Sequence, residues 1–579
     1  MKSLSSSLST LGNYNLAVPQ PHSDETFLYT VDLPKVADAV PVAWCYPASY
    51  AITMASLGYL LLFALLDKHP KALPVRFATE DYGKGYQLRQ YPLMGFSFSF
   101  ELDILEILRC FQAEDFPLYA KDRHGDAFPL VFAGGPVPTT NPEPYAPFFD
   151  FFLIGEGEEL LGNLMDAYHR NQHLRHNKPA LLEALATEVQ GVYVPSFVEV
   201  EYEHPTGAIT GMQSTLPHLP FPTQKQWLTS LENSIAFSPI LSDASVFGRS
   251  FLVEVMRGCS HRCRFCLASY STLPTRSPQV GALLETINHG LKYTNKLGLL
   301  GVLVADHPEF PHLCDALADL PDVQISSGAV RADTLTAKMC KTLADSGSQS
   351  ITLAIETGSP WLRRRINKHL KEEAIFTALE RAAEAGLKSV KLYHMVGLPD
   401  ETDAHIQESI DLIRRLKKAT PKLKLSVGCS SFVPKAWTPF QWMERPTEGI
   451  LKKRMEQFRK GVIQVADFRP SSTKWDTFQA MVSRGDRRLA PFLERFTQLG
   501  GSHGHINRAL KELKQEKVAD FPSVAWYGER QRPETEVLPW ETVFLGVDKA
   551  ILWKEGLIPR SLTATSIVEA EASAVVAVP

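Results

Sequence analysis

The sequence predicts an α/β protein in three parts: an amino-terminal doubly wound (Rossmann-like) parallel sheet, a full or partial (β/α) barrel, and a mostly helical carboxyl-terminal region. Three observations predict it. Strand-like and helix-like runs alternate from about residue 38 to 169, alternate again from about 250 to 441, and give way to helical patterns from 448 to 556. Alternation of this kind builds parallel sheets wrapped by helices. At 579 residues the chain is also too long for one compact core.

Residues 1–37 begin MKSLSSSLSTLGNYN, which lacks the apolar core of a secretory signal and reads as a disordered lead-in. Residues 38–179 form the first domain. PVAWCYP, LPVRFAT, LMGFSFSF, LVFAGG and DFFLIG are its strand candidates, and ELDILEILRCF carries Ile104, Leu105, Leu108 and Phe111 on one helical face. The apolar run from Ala51 to Leu66 is shorter than the span of about 20 residues that crosses a bilayer, and reads as a buried helix. Ligands of such sheets sit at the carboxyl edge, where glycine turns admit a cofactor. Gly134-Gly135-Pro136 and Gly155-Glu156-Gly157 are turns of that type, although most glycine turns only shape the chain.

Residues 180–247 read as a proline-containing connector with a hairpin in GVYVPSFVEVEYEHPTG. Residues 248–441 supply six barrel strands: FLVEVM, LGVLVAD, DVQISSG, SITLAIE, SVKLYHMVG and LKLSVGCSSF. Barrel chemistry belongs at the carboxyl ends of such strands. Period two in SITLAIE sends Ile351, Leu353 and Ile355 outward and leaves Glu356 inward at the strand end, where a charge needs a ligand or an ion-pair partner. The same period puts Lys391, Tyr393 and Met395 in the lumen, with Gly397-Leu398-Pro399 turning the chain above them. Asp306 ends LGVLVAD and Arg331 follows DVQISSGAV. Residues 442–558 are the helical region, and 559–579, rich in Ala, Val, Ser and Thr, read as a disordered tail.

Composition is that of an ordinary soluble protein, with 44% hydrophobic and 21% charged residues. The net charge of −4 and the lack of a long basic tract give no nucleic-acid signal. Eight cysteines, three of them clustered, suit a reduced cytoplasmic protein better than a disulfide scaffold. The cluster lies in VEVMRGCSHRCRFCLASY, where Cys259, Cys263 and Cys266 stand four and then three residues apart with Phe265 before the last. Soft thiolates this close favour iron–sulfur clusters or zinc. A structural zinc site asks for a fourth protein ligand, a place His261 could fill. Three thiolates with one open corner suit instead a four-iron cluster whose fourth iron takes a cofactor.

The cysteine spacing, with GFSFSFELDIL, FAGGPVPTTNPEP, FFLIGEGEE, IETGSPWLRRRINK, VKLYHMVGLPDET, FVPKAWTPFQW, SRGDRR and LPWETVFLGV, resembles radical S-adenosylmethionine proteins that carry an amino-terminal cobalamin-binding-type domain. The resemblance runs from about residue 38 to 558 and is closest to an uncharacterised group among them. It implies a 4Fe-4S cluster on Cys259, Cys263 and Cys266, with S-adenosyl-L-methionine chelated by the free iron and split to a 5′-deoxyadenosyl radical. It places the methionine amino group at Asp306, the ribose or carboxylate at Arg331 and Glu356, and the adenine beside Gly397, Leu398 and Pro399. The usual Gly-Gly-Glu of the second strand is absent.

A corrinoid would border Ser97, Gly134, Gly135, Gly155 and Gly157. The Asp-x-His-x-x-Gly string of enzymes that ligate cobalt from below is missing, since DKHPKA and DRHGDA both end in alanine. A bound corrinoid would therefore have no histidine beneath the cobalt. The resemblance also implies an electron donor of the flavodoxin or ferredoxin type, and methyl transfer or another C–H functionalisation as the reaction. Two rival readings stand beside it. A methylthiotransferase acting on tRNA or a ribosomal protein needs a second cluster on three amino-terminal cysteines, whereas only Cys45 and Cys110 precede the barrel. A non-catalytic iron–sulfur sensor or assembly factor needs no polar lumen.

Overall fold

The computed structural model describes residues 16–320, 322–516 and 522–557. The expected tail at 559–579 lies outside the described residues, as do residues 1–15 of the expected lead-in. The rest of that lead-in, residues 16–37, is folded: Thr26–Phe27 pair with Ile240–Leu241, and Glu25 binds Arg76 at 2.6 Å. The expected disorder therefore does not hold for residues 16–37, where an ion pair and a short strand tie the chain down.

The amino-terminal sheet holds β1 (Val40–Cys45), β2 (Ala72–Phe77), β3 (Leu93–Ser97), β4 (Leu130–Gly134), β5 (Phe151–Leu153) and β6 (Val192–Tyr193). Their order is β2-β1-β3-β4-β5-β6, parallel except for the last pair. A 2-1-3-4-5 sheet has its switch point between β1 and β3, at the carboxyl ends marked by Cys45 and Ser97. All six residues of β1 are buried, since helices cover both faces. One face meets α1 (Leu57–Lys68), and α2 (Ile104–Ala113) packs on the other. The 12-residue α1 spans about 18 Å at 1.5 Å per residue. No helix among the described residues is long and apolar enough to cross a membrane.

Next come α3 (Gly157–Asn171) and α4 (Lys178–Glu188), which bury Leu161, Leu164, Leu182 and Leu185 in the α1 face. The first domain thus runs past residue 179 to β6, because Val192 and Tyr193 complete the sheet. The hairpin also lies later than GVYVPSFVEVEYEHPTG suggests. It is made of β7 (Val198–Tyr202) and β8 (Ile209–Ser214), with the turn at the proline and glycine between them.

The barrel contains β9 (Phe251–Met256), β10 (Lys296–Gly301), β11 (Gln324–Ser327), β12 (Ser350–Glu356), β13 (Ser389–Val396), β14 (Lys424–Ser431) and β15 (Asp467–Pro470). They lie parallel in chain order, with a Val330–Leu353 bridge joining β9–β11 to β12–β15. The wall is an open, seven-stranded partial barrel. Two details differ from the sequence reading. The second strand ends at Gly301 (φ 157°), and Asp306 falls on a 3-10 turn, Val304–Asp306, rather than on a strand. The seventh strand, Asp467–Pro470, lies in the region expected to be helical.

Outward side chains of the strands, among them Val253, Leu299, Ile325, Leu353, Leu392 and Val427, share one core under the barrel helices. After β15 the chain turns back to the first domain. Helices α5 (Thr473–Ser483) and α6 (Ala490–Gln498) bury Phe478, Met481, Leu493 and Phe496 in the core that holds Phe96, Ile104 and Leu108. The carboxyl-terminal region therefore clamps the amino-terminal sheet as well as following the barrel.

Candidate radical site

The three cysteines sit on the loop that leaves β9. Cys259 and Cys263 are buried and Cys266 is partly so, all as free thiols. The loop is pinned by the chain after β12. Asn367 Nδ2 donates to the carbonyls of His261 (3.4 Å) and Arg262 (3.0 Å). Arg264 donates to the carbonyls of Arg364 (3.2 Å) and Arg365 (2.9 Å), and its own N–H reaches the Ile366 carbonyl at 3.0 Å. Tyr270 Oη donates to the Arg262 carbonyl at 3.0 Å, which secures Arg262 in a left-handed conformation (φ 49°). So the RRRINK stretch serves as a cradle for the cysteine loop.

Burial pushes the Cys263 thiol up to about 12, with Lys368 opposing it, and burial raises Cys266 as well. Thiols so placed resist ionisation by themselves, and metal coordination is what deprotonates such groups outright. Two cations, Lys368 and Arg331, lie close enough to act on the Cys263 thiol. Lys368 donates to Glu356 Oε1 at 3.0 Å. Arg331 grips Asp333 through two hydrogen bonds of 2.9 and 2.7 Å and donates to the Lys368 carbonyl at 3.0 Å. Among the described residues no three His, Cys, Asp or Glu side chains converge on a single ion. In a four-iron cluster each thiolate takes a different iron, so its ligands need no common centre.

Asp306 and His261 form the next part. His261 Nε2 lies 2.7 Å from Asp306 Oδ2, so this histidine is turned to the carboxylate. Asp306 Oδ1 is buried without a partner. An orphaned carboxylate oxygen beside the cysteine loop is a ready acceptor for an ammonium group. Glu356 stands at a bulge in the β12–β13 pairing, with φ 64°, and 8% of the residue is exposed. A non-glycine residue in that conformation costs about 1–3 kcal/mol and persists only when its surroundings fix it. Lys368 supplies the fixing contact. Above them, Leu398 is buried with Leu362, Ile366, Phe432 and Phe440, and Phe265 of the cysteine loop packs against the same group. The Gly397 N–H donates to Glu401 Oε2 at 2.7 Å, and a Cβ there would lie 2.3 Å from Leu451 Cδ2. Pro399 borders a cavity of about 670 Å³ with Trp526 and Arg530.

At the amino-terminal sheet the glycines have a different explanation. Gly135 (φ 116°) and Gly155 (φ 123°) lie against protein backbone: an added Cβ would stand 2.7 Å from the Phe98 carbonyl oxygen and 2.1 Å from that of Gln226. Gly157 faces Leu62 at 2.8 Å, and Gly134 ends β4 against Leu153. Ser97, partly buried, ends β3 at the switch point. The adjacent glutamates bind the barrel. Arg257, just after β9, reaches Glu156 (2.8 Å), Glu158 (2.8 Å) and Glu254 (2.7 Å), and Arg276 adds a 2.6 Å bond to Glu156. The GEGEE turn thus latches the carboxyl edge of the first sheet to the base of the cysteine loop. No histidine is among these edge residues. His69 caps the end of α1 and His124 lines a cavity of about 1110 Å³ on the amino side of β4 and β5.

Sequence reasoning named the cysteines, Asp306, Arg331 and Glu356 but missed Lys368, Asn367, Arg264 and Arg257. Their signal was present in RRRINK and MRGCSHRCR, yet a role as cradle or latch depends on contacts about 100 residues apart.

The family model for radical SAM proteins, N-terminal, matches residues 77–195, and that for the radical SAM superfamily matches residues 253–413. An uncharacterised protein of Methanocaldococcus jannaschii is 28% identical over 463 residues, covering 78% of this chain and 90% of the relative. A tRNA-2-methylthio-N(6)-dimethylallyladenosine synthase of Geobacillus thermodenitrificans is 24% identical over 239 residues, 37% of this chain and 45% of that protein. Among solved structures, the cobalamin-dependent S-adenosylmethionine radical enzyme OxsB with aqua-cobalamin and S-adenosylmethionine bound aligns with 83% of this chain and 71% of its own, at 14% identity and a TM-score of 0.48.

Proposed function

We propose, from the radical SAM family models that match residues 77–195 and 253–413, that this chain is a radical S-adenosylmethionine enzyme in which Cys259, Cys263 and Cys266 hold a four-iron cluster and leave one iron to S-adenosylmethionine. The carrying observation is the buried three-thiol loop, cradled by Asn367 and Arg264 and faced by Lys368 and Arg331. When bound, the cluster supplies the electron that splits the sulfonium, and the cofactor carries the hard chemistry. The chain's own residues bind and orient. Asp306 Oδ1 accepts the amino group of the cofactor while His261 holds the other carboxylate oxygen. Arg331 and Lys368 offset the negative charge of the thiolates and of the cofactor carboxylate. Glu356, set by Lys368, takes the ribose side, and the Phe265–Leu398 patch excludes water beside the adenine. An electron donor is required, and a flavodoxin or ferredoxin type is part of the proposal.

Anaerobic reconstitution followed by iron analysis tests the reading. About four irons per chain are expected, and about one third of that or less in Cys263→Ala. About eight irons, or an unchanged content in the variant, contradicts it. The methylthiotransferase alternative is disfavoured because Cys45 and Cys110 are both fully buried within the first domain's core.

A corrinoid serving methyl transfer is a second reading. The 2-1-3-4-5 strand order favours it, as does the latch that turns the edge of that sheet toward the cysteine loop. The turn glycines do not fit it, since their open sides meet Phe98, Gln226 and Leu62. We therefore derive no step through a corrinoid. Isothermal titration of the cluster-loaded protein with hydroxocobalamin decides the matter: micromolar binding supports it, and no heat at that level retires it.

A further inference from the structure

The lumen wall of the barrel carries Lys391, a cation that stands over the Tyr393 ring and has no carboxylate partner among the described residues. The outward residues of β12–β14, including Leu353, Leu392 and Val427, fill the core, so their neighbours face inward. In register across the wall lie Thr352, Lys391 and Ser426, and one level higher Ala354, Tyr393 and Gly428. The two long side chains of β13 are flanked by small ones. A Cβ on Gly428 would come within 3.3 Å of Tyr393 and 3.4 Å of Lys391, so the glycine makes space for both. Tyr393 is 39% exposed, unusual for a mid-strand aromatic of a barrel lumen. Lys391 Nζ lies 4.9 Å from its ring centroid and has no carboxylate partner among the described residues. The acids on this face are committed elsewhere: Asp467 to Arg469 at 2.6 Å and Glu254 to Arg257. Ser426 Oγ, beside Lys391, is buried without a partner.

We propose that Lys391, Tyr393 and Ser426 anchor an anionic group of the substrate, a carboxylate or a phosphate, in the barrel lumen. This rests on the reading of the chain as a radical enzyme whose cofactor lies at the cysteine loop. Met395, next on the same face, packs in the apolar group that includes Phe265. It lies four positions along the strand from Lys391, about 13 Å at 3.3 Å per residue. The substrate is therefore elongated, with its anionic end low in the lumen and its reacting carbon near the cysteine loop.

The test is lysine acylation of the cluster-loaded full chain with N-hydroxysuccinimidyl acetate, read peptide by peptide by mass spectrometry. Pyrophosphate and tricarballylate serve as phosphate and carboxylate probes, and Lys424, exposed at the start of β14, is the internal control. An anion held with a Kd of about 1 mM slows acylation of Lys391 about tenfold at about 10 mM. Protection of Lys391 but not Lys424 by pyrophosphate identifies a phosphorylated substrate, and by tricarballylate a carboxylate one. Protection by neither, or no acylation of Lys391 at all, overturns the proposal. S-Adenosylmethionine cleavage is measured on the same sample, so failure of the radical reading shows itself separately from failure of the anion site.

Discussion

Lys368 donates to Glu356 Oε1 at 3.0 Å, and both side chains are nearly closed to water, at 6% and 11% exposure. Glu356 leaves β12 in a left-handed conformation at the point where the Asn367 cradle turns back toward the cysteine loop. The pair holds that conformation and places a positive charge beside Cys263.

Removing one partner of such a pair leaves an uncompensated buried charge, at a cost of about 3–5 kcal/mol. Glu356→Gln is expected to lower the unfolding free energy by about 3 kcal/mol, and Glu356→Gln with Lys368→Met to recover most of it. Denaturant unfolding of the three proteins checks this. Unchanged stability in the single variant, with S-adenosylmethionine binding weakened more than about tenfold (about 1.4 kcal/mol), would show a carboxylate that serves the cofactor alone.

Gly155→Ala places a methyl group 2.1 Å from the Gln226 carbonyl oxygen at a φ of 123°. The backbone strain alone costs about 1–3 kcal/mol, and the collision adds to it. A large fall in melting temperature is expected. A variant that melts as the parent does and loses only a ligand would contradict the packing explanation.

Arg257 joins three glutamates across the two domains. Its replacement by methionine leaves Glu158 and Glu254 without a cation beside Glu156, which Arg276 still holds, and is expected to cost about 3 kcal/mol. Calorimetry is expected to separate the first domain from the barrel as two transitions. A single transition at the parental temperature would mean that the latch carries no coupling.

Glu401 is raised to about 7, chiefly by burial, against the opposing Gly397 N–H and Arg454. A carboxyl whose folded value exceeds its unfolded one binds more protons in the native state between the two. Stability therefore falls as pH rises from about 4.5 to 7 and is level above that. The full span is on the order of 3 kcal/mol. Glu401→Gln is expected to flatten this window in urea titrations at successive pH values, while an unaltered pH slope would rule Glu401 out as its source.

Period-two alternation made β12 and β13 readable to the residue, because one face of each is core and the other is lumen. The second strand was misplaced since LGLLGVLVA is apolar throughout and offers no register, so Gly301 rather than hydropathy ends it. The seventh strand was invisible, being four residues long and mostly exposed. In the site, cysteine spacing announces the ligands directly. The turn glycines announced only that something comes close, and whether that is a corrin or the Gln226 backbone is decided by a segment about 70 residues away. Lys368 was hidden for the same reason, as the chain between β12 and Lys368 must fold back before the pair with Glu356 exists.

Formation of 5′-deoxyadenosine from S-adenosylmethionine by the anaerobically reconstituted, dithionite-reduced protein tests the central claim most directly. Chromatography is expected to show 5′-deoxyadenosine with the parent chain and none above background with Cys259→Ala, Cys263→Ala or Cys266→Ala. A fully cluster-loaded parent that yields none, or a cysteine variant that yields as much as the parent, would contradict the account.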